Sequence, residues 1–267
     1  MRFIAENLKF LFPVLLLCHP GIPAASEDAD LYRATTFVTG EREETRIPSI
    51  QDTFRQVLVK VSGTSSLLKV SNLEDEIDKA GDYVAGYSYR DRMEGIPHHD
   101  EQGSRDRPFD LTVHFDPEKI DAIISKFGFH KWQLPRPRIL SLVKVEFKGS
   151  GFFLANDTDK GIGQREALMA EADKLGLEVA LPDIAKLEEV KMENLSSTTL
   201  NEFAEYLGGD IALRGVLTWD DSYLHWKSRW QMRVAGQDNQ WEGTEETFDS
   251  SFRAALGTVA EILSQSR

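Results

Sequence analysis

Apolar residues recur at two different spacings along this chain, and the change from one spacing to the other marks out its elements. Residues 31–38 read as a short strand. Ile47, Ile50, Phe54, Val57, Leu58 and Val61 then recur at helical spacing. Pro48 fits the first turn of that helix, where its missing N–H costs nothing, and Gly63 fits its end. The β-branched run Val57, Val59, Val61 favours a strand, but the longer helical phase outweighs it. A shorter helix is predicted over 72–80 and a strand over 83–90. Residues 91–108 are polar and rich in charge, Gly and Pro, and read as a mobile hairpin loop. Phe109, Leu111, Val113 and Phe115 alternate with Asp110, Thr112 and His114, the pattern of a strand with one buried face. Asp116 then caps a helix, with Pro117 at its first position and Glu118 at the positive end of its dipole. Ile120, Ile123, Ile124 and Phe127 form the buried stripe of that helix, and Gly128 ends it.

The segment 132–138 (WQLPRPR) is punctuated by proline and reads as a connector between domains. Beyond it, residues 139–147 form a mostly apolar strand interrupted by Gly149, Ser150 and Gly151. A helix over 164–175 ends at Gly176, and a short strand over 177–181 closes at Pro182. Thr199 and Glu202 have the spacing of a capping box, for a helix with Leu200, Phe203, Ala204 and Leu207 inward and Gly208 and Gly209 as its stop. Residues 211–219, 224–234 and 241–248 read as three antiparallel strands. A final helix, capped by Asp249 or Ser250, places Phe252, Leu256, Val259 and Leu263 on one side. The predicted class is therefore α/β or α+β, in two mixed-sheet parts with amphipathic helices. The N-terminal domain, near 30–130, runs β-α-α-β-β-α. The C-terminal domain, near 136–267, runs β-α-β-α-β-β-β-α and ends in an antiparallel meander plus helix.

The first residues depart from this globular pattern. Arg2 and Lys9 give a positive start, residues 10–18 (FLFPVLLLC) are a short apolar run broken by Pro13, and Ala24, Ala25 and Ser26 follow. That is the order of a secretory signal, and the run falls short of the ~20 apolar residues needed to span a bilayer. A signal peptide is thus expected over 1–25, and with it an exported, periplasmic protein. Cys18 follows Leu15, Leu16 and Leu17, without the small residue that would mark it for lipidation. It is the only cysteine, so after signal removal disulfides, thiolate metal sites and cysteine nucleophiles are all excluded. Hydrophobic residues make up 41% of the 267, enough for a core without disulfides. The net charge of −13 implies solubility and repulsion from polyanions, which argues against nucleic acid as a partner. No other segment is apolar enough to cross a membrane.

Taken in order, several segments carry a family likeness. They are residues 56–68 (QVLVKVSGTSSLL), 83–89, 111–128 (LTVHFDPEKIDAIISKFG), Trp132 followed by Pro137, the strand 139–145, residues 175–182 (LGLEVALP), and the spaced Trp226, Trp230 and Trp241. With this ordered set the chain resembles the exported bacterial proteins grouped as domain of unknown function 2066 (DUF2066), over roughly residues 30–265. The resemblance implies a Gram-negative envelope location. It implies no known activity, no cofactor and no catalytic residues.

Residue types able to do chemistry are present, but their spacing does not assemble a site. His98, His99, Asp100 and Glu101 cluster in the polar loop, with His114 on the next strand. Adjacent histidines on a flexible loop do not hold a metal geometry, and a solvated loop tip is the simpler reading. His114 shares the polar face of its strand with Asp110 and Thr112. Residues 156–161 (NDTDKG) resemble a calcium loop until the spacing is tested: Lys160 falls on a ligand position, and lysine cannot coordinate calcium. Gly161 and Gly163 precede a helix, but Glu166 replaces the third glycine of a dinucleotide turn and would repel phosphate. There is no G-x-S-x-G elbow, Ser62 reads as a helix end, and Asp220 with Asp221 reads as a solvated hairpin turn. No catalytic, cofactor or metal residue is therefore assigned.

One pattern stands out. From 224 onward, Leu224, Trp226, Trp230, Met232 and Val234 share one strand face, while His225, Lys227, Arg229, Gln231 and Arg233 share the other. Arg214 joins this basic face from the preceding strand. Cross-strand pairing with Glu242 and Glu246 explains it most simply. The sharper reading is a docking face, made of Arg214, Lys227, Arg229 and Arg233, for an envelope protein or an anionic envelope component. The expected function is a non-catalytic periplasmic binding or scaffold module. The alternative is an enzyme whose site is assembled from residues distant in sequence.

Overall fold

The computed structural model describes residues 30–96, 106–189 and 196–266. The signal-like segment 1–25 and the cluster His98, His99, Asp100 and Glu101 lie outside the described residues. The fold is α+β, built on two sheets that each carry a core.

The smaller sheet is antiparallel, in the order β1 (Arg33–Thr39), β3 (Pro108–Phe115), β2 (Val84–Asp91). As the alternation predicts, Leu111, Val113 and Phe115 are buried. They pack against Phe54, Val57, Leu58 and Val61 of α1 (Glu43–Ser62) and against Ile120 and Ile124 of α3 (Pro117–Lys126). Asp116 caps α3, its carboxylate accepting from the amides of Glu118 and Lys119. The second predicted helix shrinks to one turn, α2 (Glu74–Ile77). Helix α1 begins well before the predicted start, so Pro48 lies inside it and not in its first turn. Glu43 and Glu44 favour the earlier start by sitting at the positive end of the dipole. The buried stripe opens at Ile50, and Ile47 is half exposed.

The larger sheet runs β5 (Ser150–Phe153), β4 (Arg138–Phe147), β7 (Ile211–Asp220), β8 (His225–Val234), β9 (Gln237–Glu245), and β6 (Glu178–Ala180) also pairs with β4. Strand β4 is parallel to β6 and β7, and the remaining pairs are antiparallel. Helices α4 (Ile162–Leu175) and α7 (Phe248–Gln265) cover one face, where Phe252, Leu256 and Val259 meet Val143, Leu213, Trp230 and Met232. On the opposite face α5 (Ile184–Glu189) and α6 (Ser197–Tyr206) cover one end only, burying Leu140, Leu142 and Ala212 under Leu187, Leu200 and Ala204. Strand β4 is covered on both sides there, which is why its sequence reads as an apolar run without alternation.

Several expectations are corrected in this half. The glycines after β4 do not merely interrupt it. Lys148 and Gly149 both have positive φ and form a two-residue turn into β5, which the sequence reading missed along with α5. The cap of α6 is Ser196, not Thr199, and that of α7 is Thr247, not Asp249 or Ser250. In each case the hydroxyl accepts from the amide three residues on. Leu224 is not on the buried face of β8: it sits in the hairpin turn with φ 54° and is 67% exposed.

The segment 132–138 is pinned by two buried side chains, Trp132 and Arg136, while Gln133, Pro135 and Arg138 are exposed. Trp132 enters the core of the larger half, its amide donating to the Val61 carbonyl at 2.8 Å. The Arg136 guanidinium stacks over the Trp132 ring at 4.1 Å and donates to the carbonyls of Lys60, Leu175 and Gly176.

Candidate functional site: an open cationic cleft on the larger sheet

Because α6 covers only one end of its face, the rest of that face is open, and β register decides what it displays. Counting across β4, β7, β8 and β9, one row is Leu142, Arg214, Gln231, Gln240 and the next is Lys144, Val216, Arg229, Glu242. A third row begins with Glu146, Thr218 and Lys227. Side chains alternate between faces along each strand, so these rows point away from the tryptophan core. They bound a cleft of about 470 Å³, lined among others by Lys144, Glu146, Phe153, Arg214, Arg229 and Gln240.

Three cations thus face one carboxylate. Glu146 is held by Lys144 Nζ at 3.2 Å and by the Thr218 hydroxyl at 3.0 Å. The hydrogen bond from Lys144 draws its pKa below the usual carboxylate range, with Thr218 and the positive charge of Arg229 adding to the effect. Arg214 donates to Gln231 Oε1. Arg229 is exposed and, among the described residues, makes no ion pair even with Glu242, its register partner.

All four residues expected on the basic face, Arg214, Lys227, Arg229 and Arg233, do lie on one face. Arg214 and Arg229 line the cleft, while Lys227 and Arg233 are at its margins. Their partners are not those expected. Lys227 pairs with Asp220 at 2.6 Å and Arg233 with Asp238 at 2.9 Å, where Glu242 and Glu246 were the predicted partners. Lys227 depresses the Asp220 pKa, helped by the amides of Ser222 and Tyr223, and Asp220 in turn raises that of Lys227. The Ser197 hydroxyl and Arg233 depress that of Asp238. Lys144, Glu146, Gln231, Gln240 and Phe153 complete the cleft and were missed as site residues. The available signal was a lysine and a glutamate alternating with Val143, Val145 and Phe147 at the end of an otherwise apolar strand.

The other candidates are placed apart from this cleft. His114 is exposed on the outer face of the smaller sheet. In the loop over 156–161, Arg165 donates to the carbonyls of Ala155, Asn156 and Thr158, putting a cation where a calcium ion would need ligands. Gly161 turns into α4 against Phe152 and Leu154, and the Ser62 hydroxyl donates to the Leu58 carbonyl as α1 ends. Asp220 and Asp221 occupy the β7–β8 turn, where Asp221 accepts from the Trp219 indole at 2.9 Å. Among the described residues no group of three or more His, Cys, Asp or Glu is placed to hold a metal. No helix among them is long and apolar enough to cross a membrane.

Fold and site together define an α+β protein with an open, cation-lined sheet face. Residues 25–133, covering the smaller sheet, match the family model described as Domain of unknown function (DUF8605). This is a different family number from DUF2066, and the two agree in being domains of unknown function. No curated protein matches. Among solved structures, the chain is similar to the LpoB C-terminal domain from Salmonella enterica, at 15% identity and a TM-score of 0.26, covering 43% of this chain and 86% of that one. It is also similar to a competence or damage-inducible protein from Enterobacter asburiae, at 11% identity and a TM-score of 0.26, covering 55% and 94%. Likenesses this distant carry no argument about function.

Proposed function

We propose that this chain is a non-catalytic binding module of the cell envelope whose working surface is the open half of the larger sheet. The observation that carries this reading is the clustering of Lys144, Arg214 and Arg229 against a single carboxylate, on a chain of net charge −13. A local positive field on an otherwise acidic protein selects for an anionic component. The signal-like pattern over 1–25 and the DUF2066 resemblance, which reaches past residue 133, support an exported, periplasmic setting. Crosslinking in intact cells tests the reading. Charge reversal at Lys144, Arg214 and Arg229 is expected to abolish recovery of the captured component while the far-ultraviolet circular dichroism of the folded chain is retained. Recovery that survives the triple reversal sinks it.

A further inference from the structure

The rows across the sheet restrict what the cleft can hold. Neighbouring strands lie ~4.8 Å apart, and alternate residues along a strand ~6.8 Å. Lys144 and Arg229 stand on either side of Val216 in one row, so their backbones are ~10 Å apart. Arg214 rises beside Val216 from the next row. Three long cationic side chains therefore stand around one small apolar residue and can converge above it. Guanidinium forks arriving from different strands suit an oxyanion with acceptors on several sides. Gln231 accepts from Arg214 through Oε1, and its Nε2 can serve as a further donor. With Glu146 counted, the lining carries two positive charges in excess, and one when Glu242, the neighbour of Arg229 in its row, is included, so the site favours an anion. Beside the cations, Val216 and Phe153, both partly exposed, supply apolar surface that an inorganic ion would not use. The volume, about 470 Å³, is that of a small-molecule site.

We propose that the cleft binds a phosphomonoester, its dianionic head held among Lys144, Arg214 and Arg229 and its carbon part resting on Val216 and Phe153. This rests on the binding-module reading above and names the chemistry of the ligand. The ester could be a soluble small molecule or a lipid headgroup, and the test separates them.

The experiment is calorimetric titration of the intact chain with phenyl phosphate, glycerol 3-phosphate, inorganic phosphate and, as a carboxylate dianion, succinate. Phenyl phosphate is expected to bind best and succinate at least about tenfold more weakly. Arg229→Gln and Lys144→Gln should each weaken phenyl phosphate by about tenfold, the order of one charge-assisted contact, while Lys227→Gln at the margin leaves it unchanged. Arg229→Lys, which keeps the charge and loses the fork, should fall between. Cosedimentation with phosphatidylcholine vesicles containing phosphatidic acid, against phosphatidylcholine alone, reads the lipid source. Equal affinity for succinate and phenyl phosphate overturns the proposal, as does binding indifferent to Arg229 and Lys144. Binding of none of the phosphate compounds overturns it too. If charge reversal still abolishes capture in cells in that last case, the ligand class fails and the binding-module reading stands.

Discussion

At the scale of single residues, Arg136 ties together helix ends from both halves of the molecule. Its Nη1 donates to the carbonyls of Leu175 and Gly176, both at 3.0 Å, and its Nη2 to that of Lys60 at 2.7 Å. These carbonyls lie at the C-terminal ends of α4 and α1, where the helix dipole favours a cation. One guanidinium therefore serves a helix end from each half of the molecule. It is buried, at 7% exposure, so its loss strands acceptors that water reaches poorly. Arg136→Ala is expected to lower the unfolding free energy by about 3 kcal/mol in urea denaturation. Arg136→Lys should restore less than half of that, because an ammonium on a flexible stem does not reproduce the fork or its stacking on Trp132. Lys60, also buried, has its pKa drawn down chiefly by burial, and its ammonium donates to the Arg33 carbonyl at 3.5 Å. No alternation or spacing marks Lys60 or Arg136 as interior. They read as surface cations in the sequence, and only the meeting of the two halves buries them.

At the scale of elements, the close pairing of β7 and β8 depends on a missing side chain. Gly215 lies opposite Trp230, and a Cβ at Gly215 would stand 2.2 Å from the indole, far closer than van der Waals contact allows. Gly215→Ala is accordingly expected to cost about 1–3 kcal/mol by overpacking. Trp230→Leu should absorb part of that penalty, so that a double-mutant cycle by chemical denaturation gives a coupling of at least about 0.5 kcal/mol. Additive penalties would show that Trp230 does not set the spacing. Elements with strong local signals were legible in the sequence. Helix α3 carries cap, proline and stripe within a dozen residues, and β8 alternates cleanly, whereas β9 lies at Gln237–Glu245 and not over 241–248. Elements whose pattern is overridden by covering were not. The caps of α6 and α7 were displaced by two or three residues because capping residues (Asp, Ser and Thr) recur within that span, and only backbone geometry chooses among them. Strand β5 was hidden because four residues give too little alternation to read.

At the scale of the whole molecule, we propose that the chain has two domains, near 30–130 and 136–267, that unfold together because the wedge between them is shared. Trp132 belongs to the core of the larger half while its amide bonds the end of α1. Gly63 leaves no room at this junction, since a Cβ there would stand 2.6 Å from that of Ser264 and 2.9 Å from the Trp132 ring. The Thr64 and Ser65 hydroxyls donate to Glu261 of α7 across the same seam. Wild-type protein is expected to give one calorimetric transition. Trp132→Ala, which removes the wedge at a cost of roughly 3–5 kcal/mol, should split it into two. A single shifted transition would argue that the halves are one cooperative unit.

Hydrophobic spacing, caps and turn residues act within a few positions of one another, and for that reason the sequence alone determined a mixed class, α/β or α+β, most of the strands and helices, and the basic face of β8. Which cations share a cleft depends on register between strands up to about a hundred residues apart, and on α6 stopping short of the far end of its sheet face. Lys144 joins Arg214 and Arg229 only through that register, and Trp132 and Arg136 become interior only when two cores close on them. Those placements are long-range packing decisions, and the tertiary structure alone made them.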